Sequence, residues 1–448
     1  MRNIEQHNLF VNTKPGRLFL KAALPGAIGM LASAMYQTLD GVFVGRFLGS
    51  TAFAAINLAM PFVIINFSLA DLIGVGSSVP ISIALGEGRG EDANKIFSLA
   101  IVLIFLAGLA IGGLLFFAAP LLIALMGAEG EFASQAVMYM RTYAMLSPFT
   151  TMMFASDNFL RICGKIRTSM SLNIFMSLFG ATVEFLFLAV FGFGIWAAAL
   201  ANCLAMMTTT MLSMLPFLSK KLALRFVRPH FSLRIIKKIV SCGLPSFLNN
   251  IAGRLTSIVM NMMLVRFGGQ NAVSVYGVLM YADGIIQPLM YGSCDSLQPA
   301  IGYNWGAGQY SRVRKIEKYC FSVAAGLCAM AFLMCTFVPS FIVHAFMSSA
   351  APSYAVFAVH VFAFTYVTRW ITFSTQSFML AIEKSLYATI LSISAALVFP
   401  LLFIFSLQGL GLTGIWLNFP LSSLCCAIMS LIILMRERKN ISRPDLAI

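Results

Sequence analysis

Apolar runs near 20 residues long recur along the whole chain, separated by short polar stretches. A run of that length crosses a hydrocarbon core of ~30 Å as a single helix. The runs predict twelve spans, at 18–43, 53–80, 96–120, 132–157, 168–190 and 193–217, then 238–263, 272–300, 317–343, 353–380, 386–407 and 411–435. The pattern also repeats. At an offset of about 220 residues Leu24-Pro25 falls on Leu244-Pro245 and Arg46-Phe47 on Arg266-Phe267. Gly86-Glu87-Gly88 then falls on Gly306-Ala307-Gly308, and Gly194-Ile195-Trp196 on Gly414-Ile415-Trp416. Fixed-period self-similarity announces a repeated architecture.

The repeat divides the chain into two six-helix lobes, 1–217 and 238–448, joined by a basic linker at 218–237. Six spans return the chain to its starting side, so the lobes are parallel repeats, the layout of secondary transporters. The fold class is therefore an all-α polytopic membrane protein. The loops opening at Gly86 and Gly306 start with glycine and end in charge, which suits a turn into an amphipathic segment at the membrane surface.

Composition agrees with the class and excludes others. The chain of 448 residues is 59% hydrophobic and 10% charged, against about 25% charged in soluble domains. A net charge of +14 raises the question of nucleic acid, but the placement of the charge answers it. With the N-terminus on the cytoplasmic side, 25 of the 30 Lys and Arg fall in cytoplasmic segments or in the first turn of the span that leaves them, seven of them between Lys220 and Lys238. This is the positive-inside bias. It places both termini in the cytoplasm, and the linker suits an anionic lipid surface. The polar start from Met1 to Lys14 runs into a span without the small-residue signature of a cleaved signal peptide. The nine cysteines read as small apolar side chains. Glu87-Gly88-Arg89-Gly90 lacks the Lys-Ser/Thr ending of a phosphate loop. With no ATP-binding segment, transport has to draw on an ion gradient or the substrate's own gradient, and no cofactor is implied.

Ionisable groups inside hydrocarbon are costly and are functional candidates by default. The acidic set is Asp40, Asp71, Asp157, Glu184, Asp283 and Asp295. Asp157 and Asp295 stand near cytoplasmic span ends and read as solvated or capping carboxylates. Asp71 in span 2 and Asp283 in span 8 either pair with a neighbouring helix or line a substrate cavity. Asp40 follows Gln37 by three residues, which sets an amide and a carboxylate on one face of span 1. Glu184 sits mid-span among Ala181, Thr182, Val183 and Phe185, surroundings that penalise a charged carboxylate. Such a group takes up and releases a proton or holds a cation. Asp40 and Glu184 are thus the expected ion-coupling pair, for H⁺ or for Na⁺, with no other metal site. Arg254 in span 7 and Arg369 in span 10 either pair with Asp283 or face the cavity. His344 and His360 read as hydrogen-bonded packing residues.

These residues resemble the multidrug and toxic compound extrusion (MATE) family of secondary transporters. Pro25 to Asp40, then Val44-Gly45-Arg46-Phe47-Leu48-Gly49, Ala54-Ala55 and Pro61, look like its opening helix and the turn that follows. Phe159-Leu160-Arg161 to Gly164-Lys165 resembles its segment between spans 4 and 5. Gln298-Pro299, Gly302-Tyr303-Asn304 and Gly306-Ala307 resemble its signature after span 8. The likeness runs over nearly the full length. It implies a V-shaped pair of six-helix bundles around a central cavity, exporting amphipathic, often cationic compounds in exchange for H⁺ or Na⁺ across a bacterial cytoplasmic membrane.

In the DinF-like branch, the first lobe carries an Asp in span 1, an Asn and an Asp four residues apart in span 5, and a Thr in span 6. Asp40 matches the first and Glu184 replaces the span 5 Asp. Gly180 stands where the Asn would be, and Asn202 where the Thr would be. The NorM-like branch uses acids in spans 7 and 10, where this chain has none in span 7 and Arg369 in span 10.

The expected function is an antiporter of small organic cations working by alternating access, for which a monomer in the lipid bilayer suffices. A lipid or lipid-linked oligosaccharide flippase wants a cavity rich in Arg and Lys for phosphate, and Arg254, Arg369 and Arg141 are few for that task. A membrane-embedded enzyme needs a His–Asp or metal cluster, which four scattered histidines do not supply. A channel needs a filter, and the repeat contains no pore loop.

Overall fold

The computed structural model describes residue 6 and residues 8–219, 222–346 and 352–441. The linker's Lys220 and Lys221 and both chain ends lie outside the described residues. Within them the chain is helical, with no strand. In the first half α1 spans Pro15–Phe47, α2 Gly49–Gly86, α3 Gly90–Leu125, α4 Gly130–Ile162, α5 Ile166–Phe185 and α6 Ile195–Leu218. In the second half α7 (233–268) and α8 (270–295) form one helical stretch, Leu233–Asp295, broken at Gly269, where φ is 62° and ψ −157°. Helix α8 resumes as Gln298–Gly306. Then come α9 (Tyr310–Phe337), a short helix Pro339–Phe346, and α10 (Ala355–Ala381). Helix α11 runs Ser385–Ile393, widens to a π turn at Ser394–Val398 and continues as Phe399–Ser406, before α12 (Gly411–Ile441).

Among the described residues, ten helices are long and apolar enough to cross a membrane. The two expected spans outside that set are α4 and α7. Helix α4 carries Glu131, Arg141, Asp157 and Arg161, and α7 carries Lys237, Lys238, Arg254 and Arg266. Their polarity is absorbed by neighbours. In α4, for example, Ser147 donates to Asn66 Oδ1 at 2.9 Å, and Arg141 Nε donates to the Phe116 carbonyl at 3.2 Å.

Contacts divide the chain into two compact units that differ from the sequence repeat. Of the described residues, one unit holds those up to Lys14, those of Ile28–Phe247 and those of Gly302–Ala307. The other holds Pro15–Ala27, Leu248–Ile301 and the described residues from Gly308 onward. Glycines explain the exchange. In the second unit a Cβ on Gly26 would stand 2.6 Å from the Gly292 carbonyl oxygen, so the first turns of α1 press directly on α8. In the first unit a Cβ on Gly243 would stand 1.8 Å from the Leu72 carbonyl oxygen, so the first turns of α7 press on α2. Neither approach tolerates a side chain.

In apolar surroundings, helices associate through close van der Waals packing, and small residues permit it. In the first unit Ala55, Ala59, Ala119, Ala197, Ala198 and Ala199 are fully buried around Tyr139 and Tyr143. Gly108 and Gly112 of α3 let α4 approach until a Cβ on Gly112 would lie 2.5 Å from the Ala144 carbonyl. The second unit's core is bulkier, with Phe362, Tyr366, Ile404 and Trp416 buried together. The repeated Gly-Ile-Trp motif diverges here: Trp416 is 1% exposed and Trp196 37%.

Candidate functional site

In the first unit the middle of α1 meets the end of α5. Glu184 is fully buried there and Asp40 is 9% exposed. The two carboxyl groups and the Tyr36 phenol lie close enough to act on one another electrostatically. Outside this trio, both oxygens of Glu184, Oδ1 of Asp40 and the hydroxyl of Tyr36 are buried without a hydrogen-bond partner among the described residues. Tyr139 and Tyr143 of α4, with ring centroids 5.2 Å apart, stand behind Asp40. A π turn, Leu186–Val190, begins two residues after Glu184. Such turns interrupt the regular helical ladder and concentrate at functional sites.

Two carboxylates cannot both stay charged at close range in an apolar surround, and an unpaired buried acceptor is costly. The arrangement becomes stable when a proton is shared between the acids or a monovalent cation sits among their oxygens. The donor set, two carboxyl groups and a phenol, suits either ion. Among the described residues no group of three or more His, Cys, Asp or Glu could hold a metal.

The other expected members of this site are placed differently. Gln37 is exposed and makes no hydrogen bond to either carboxylate. The residue that joins Asp40 is Tyr36, one full turn before it and 4% exposed. Asn202 is half-buried and likewise makes no bond to Asp40 or Glu184. Gly180 is occupied from outside, because a Cβ there would stand 2.8 Å from Tyr36 Cζ. The phenol of span 1 takes the volume in which the resemblance puts a span 5 amide.

Asp157 is not a solvated cap. Arg161, 4% exposed, bonds its Oδ2 at 2.6 Å, and Asn173 Nδ2 bonds its Oδ1 at 2.9 Å. Asp295 accepts from Gln298 at 2.7 Å and from Ser377 at 2.6 Å. His344 and His360 bond backbone carbonyls of Ser340 and Thr336.

The second unit encloses a cavity of about 350 Å³ between α7, α8, α10, α11 and α12. Asp283 and Arg369 face each other in its wall, with Arg369 Nη1 2.6 Å from Asp283 Oδ1. The Tyr366 hydroxyl donates to the same oxygen at 3.1 Å. Two of the expected cavity residues do not line it. Arg254 is exposed on α7 and makes no ion pair with Asp283, and Asp71 is half-buried on α2 in the first unit. The π turn of α11 reaches the cavity through Ala395 and Ala396, and Thr256 donates to the Ala396 carbonyl at 2.5 Å. Spacing alone could not find Tyr366, which reads as one more aromatic in an apolar run.

Comparison with known proteins finds relatives along nearly the whole chain. The family model MatE matches twice, at residues 25–186 and 245–405, once in each repeat. The multidrug export protein MepA of Staphylococcus saprophyticus is 25% identical over 99% of both chains, and MepA of Staphylococcus aureus (strain N315) is 25% identical with the same coverage. The fold is that of a multidrug resistance MATE family transporter of the MOP superfamily solved in its outward-facing conformation. The TM-score is 0.91 at 21% identity, covering 97% of this chain and 98% of that one. A MOP superfamily transporter from Pyrococcus furiosus superposes with a TM-score of 0.89 at 22% identity, covering 97% and 98%. A repeated family model over both halves of an all-helical membrane fold leaves one assignment: the chain belongs to the MatE family of membrane transporters.

Proposed function

We propose that this protein is a secondary antiporter for multidrug efflux, exporting amphipathic organic compounds that carry a positive charge in exchange for H⁺ or Na⁺. The observation that carries the reading is the buried Asp40–Glu184 pair, three of whose four oxygens (Asp40 Oδ1 and both of Glu184) have no hydrogen-bond partner outside the site. A site of this kind is completed by an ion and by little else. Coupling requires that ion and substrate favour different states of the transporter. With the ion bound, the charge of the pair is neutralised and the helices around α1 repack. With the ion released, the pair favours the state that accepts the next organic cation.

The sequence repeats 1–217 and 238–448 are then the two halves of an alternating-access cycle, with 218–237 as their cytoplasmic connection. Both termini lie in the cytoplasm of a bacterium, and one copy of the chain completes a cycle. The acids of α1 and α5 favour the DinF-like branch, since α10 offers Arg369 where the other branch uses an acid.

The test is export of a fluorescent organic cation from proteoliposomes under a pH gradient and, separately, a Na⁺ gradient. One gradient should drive export in the wild type. Asp40→Asn and Glu184→Gln should each abolish driven export while the protein remains folded in the bilayer. Driven export at wild-type rate in both variants overturns the reading, and movement of labelled lipid without dye replaces it with a flippase.

A further inference from the structure

The second-unit cavity holds opposite charges side by side, and this restricts what it can bind. From Asp283 and Arg369 we infer that the cavity is a binding site for an aromatic zwitterion, a molecule whose ammonium and carboxylate lie close together on an amphipathic body. The inference deepens the export reading by naming a substrate class, and it rests on that reading only in treating the bound molecule as cargo.

The charge balance comes first. Asp283 and Arg369 neutralise each other through Oδ1 and Nη1 at 2.6 Å. A guanidinium offers five N–H donors in a planar fork, and a carboxylate has two oxygens. Among the described residues, Nε and Nη2 of Arg369 and Oδ2 of Asp283 make no hydrogen bond. The pair therefore keeps a free donor edge and a free acceptor next to each other. A ligand carboxylate on the Arg369 edge and a ligand ammonium on Asp283 Oδ2 would satisfy both without breaking the existing bond. A simple cation would gain Asp283 but stand beside a fixed guanidinium, and a simple anion would meet the converse. Like charges placed together in a partly dry site are strongly disfavoured.

The walls fit the rest of such a molecule. Tyr291 and Phe373 meet edge to face with centroids 4.4 Å apart, and Tyr276 stacks on Phe419 at 6.1 Å. Aromatic walls with a few convergent polar groups are the usual make-up of a small-molecule pocket, and about 350 Å³ falls in the size range of one.

Dansyl amino acids supply the test. Nε-dansyl-lysine carries adjacent ammonium and carboxylate groups, its methyl ester is a cation and its Nα-acetyl derivative an anion. Binding to the purified full-length protein is read from dansyl fluorescence and corrected by displacement with unlabelled compound. The wild type should bind the zwitterion at least tenfold tighter than either derivative. Arg369→Gln should make the ester the tightest ligand, and Asp283→Asn the Nα-acetyl derivative. The double variant Asp283→Asn/Arg369→Gln, which strands no charge, should bind all three within about threefold of one another. A purely structural ion pair predicts no reordering. Equal binding of all three by the wild type overturns the inference, as does an unchanged order in the variants. If the single variants do not fold, a double variant that still prefers the zwitterion overturns it too. The assay uses no ion gradient, so its failure leaves ion-coupled export standing, and failure of the Asp40 and Glu184 variants to stop export leaves the binding order to be judged alone.

Discussion

The phenol of Tyr36 occupies the space that a side chain at Gly180 would need. A Cβ on Gly180 would stand 2.8 Å from Tyr36 Cζ and 3.2 Å from Ala205 Cβ, with α6 closing the far side. Tyr36 is 4% exposed and cannot swing away freely. Gly180→Ala should therefore destabilise the protein by about 1–3 kcal/mol, the usual cost of overpacking a filled core. Gly180→Asn should do so more severely and also impair ion-driven export. Thermal unfolding in detergent checks the first effect. An unchanged midpoint for Gly180→Ala would falsify this account of the Tyr36 position.

Two adjacent glycines in α3 should respond in opposite directions. A Cβ on Gly112 would meet the Ala144 carbonyl oxygen at 2.5 Å and Ser147 Cβ at 2.9 Å, whereas a Cβ on Gly113 has nothing within 4 Å. Gly112→Ala should cost about 1–3 kcal/mol by forcing α3 and α4 apart. Gly113→Ala should gain about 0.5–1 kcal/mol, because alanine loses less backbone freedom than glycine in a helix. The difference in unfolding midpoint between the two variants is the measurement, and equal shifts would contradict the close packing of α3 on α4.

The helices and the repeat were legible because apolar length and a fixed offset leave few alternatives. Glu184 was legible because its neighbours in sequence are apolar, so its cost is visible without a structure. Its partner's surroundings were not. Gln37 and Tyr36 stand three and four residues before Asp40, and both spacings share its helix face. Polarity favoured the amide, while packing against Gly180 chose the phenol. Pairing across helices is also hidden from spacing: Asp283 and Arg369 meet from α8 and α10, and the other available cation, Arg254, stays exposed. The division into units was hidden for a similar reason. The exchange of first turns depends on carbonyl-to-glycine approaches at Gly26 and Gly243, which hydropathy does not register.

Asp157 anchors the end of α4 to the start of α5. Its partner Arg161 also donates through Nε to Ser169 Oγ at 3.1 Å, and Asn173 reaches the same carboxylate. Removing one member of a buried ion pair costs about 3–5 kcal/mol, because the other charge loses its compensation. Asp157→Ala should fall in that range, and Asp157→Leu/Arg161→Met should recover most of the loss. A double variant no more stable than Asp157→Ala alone would count against a compensated pair. Ion-driven export per folded molecule should stay near wild type in the double variant.

Glu383 carries a backbone conformation that its counterpart in the first repeat gives to glycine. Its φ is 64° and that of Gly164 is 77°. The turns close with equivalent bonds, Lys384 N–H to the Met379 carbonyl at 2.8 Å and Lys165 N–H to the Leu160 carbonyl at 2.9 Å. A side chain in this left-handed region costs roughly 1–2 kcal/mol. Gly164→Ala should lose about that much, with the new Cβ also held 3.3 Å from Leu9 Cδ2. For Glu383→Gly the relieved strain opposes the greater freedom of glycine in the unfolded chain, worth about 0.4–1 kcal/mol. The net change should then lie between zero and a gain of about 1 kcal/mol. Unfolding midpoints of the two variants decide the matter: a loss in Glu383→Gly as large as that in Gly164→Ala would mean that the Glu383 side chain stabilises its turn by more than its backbone strain costs.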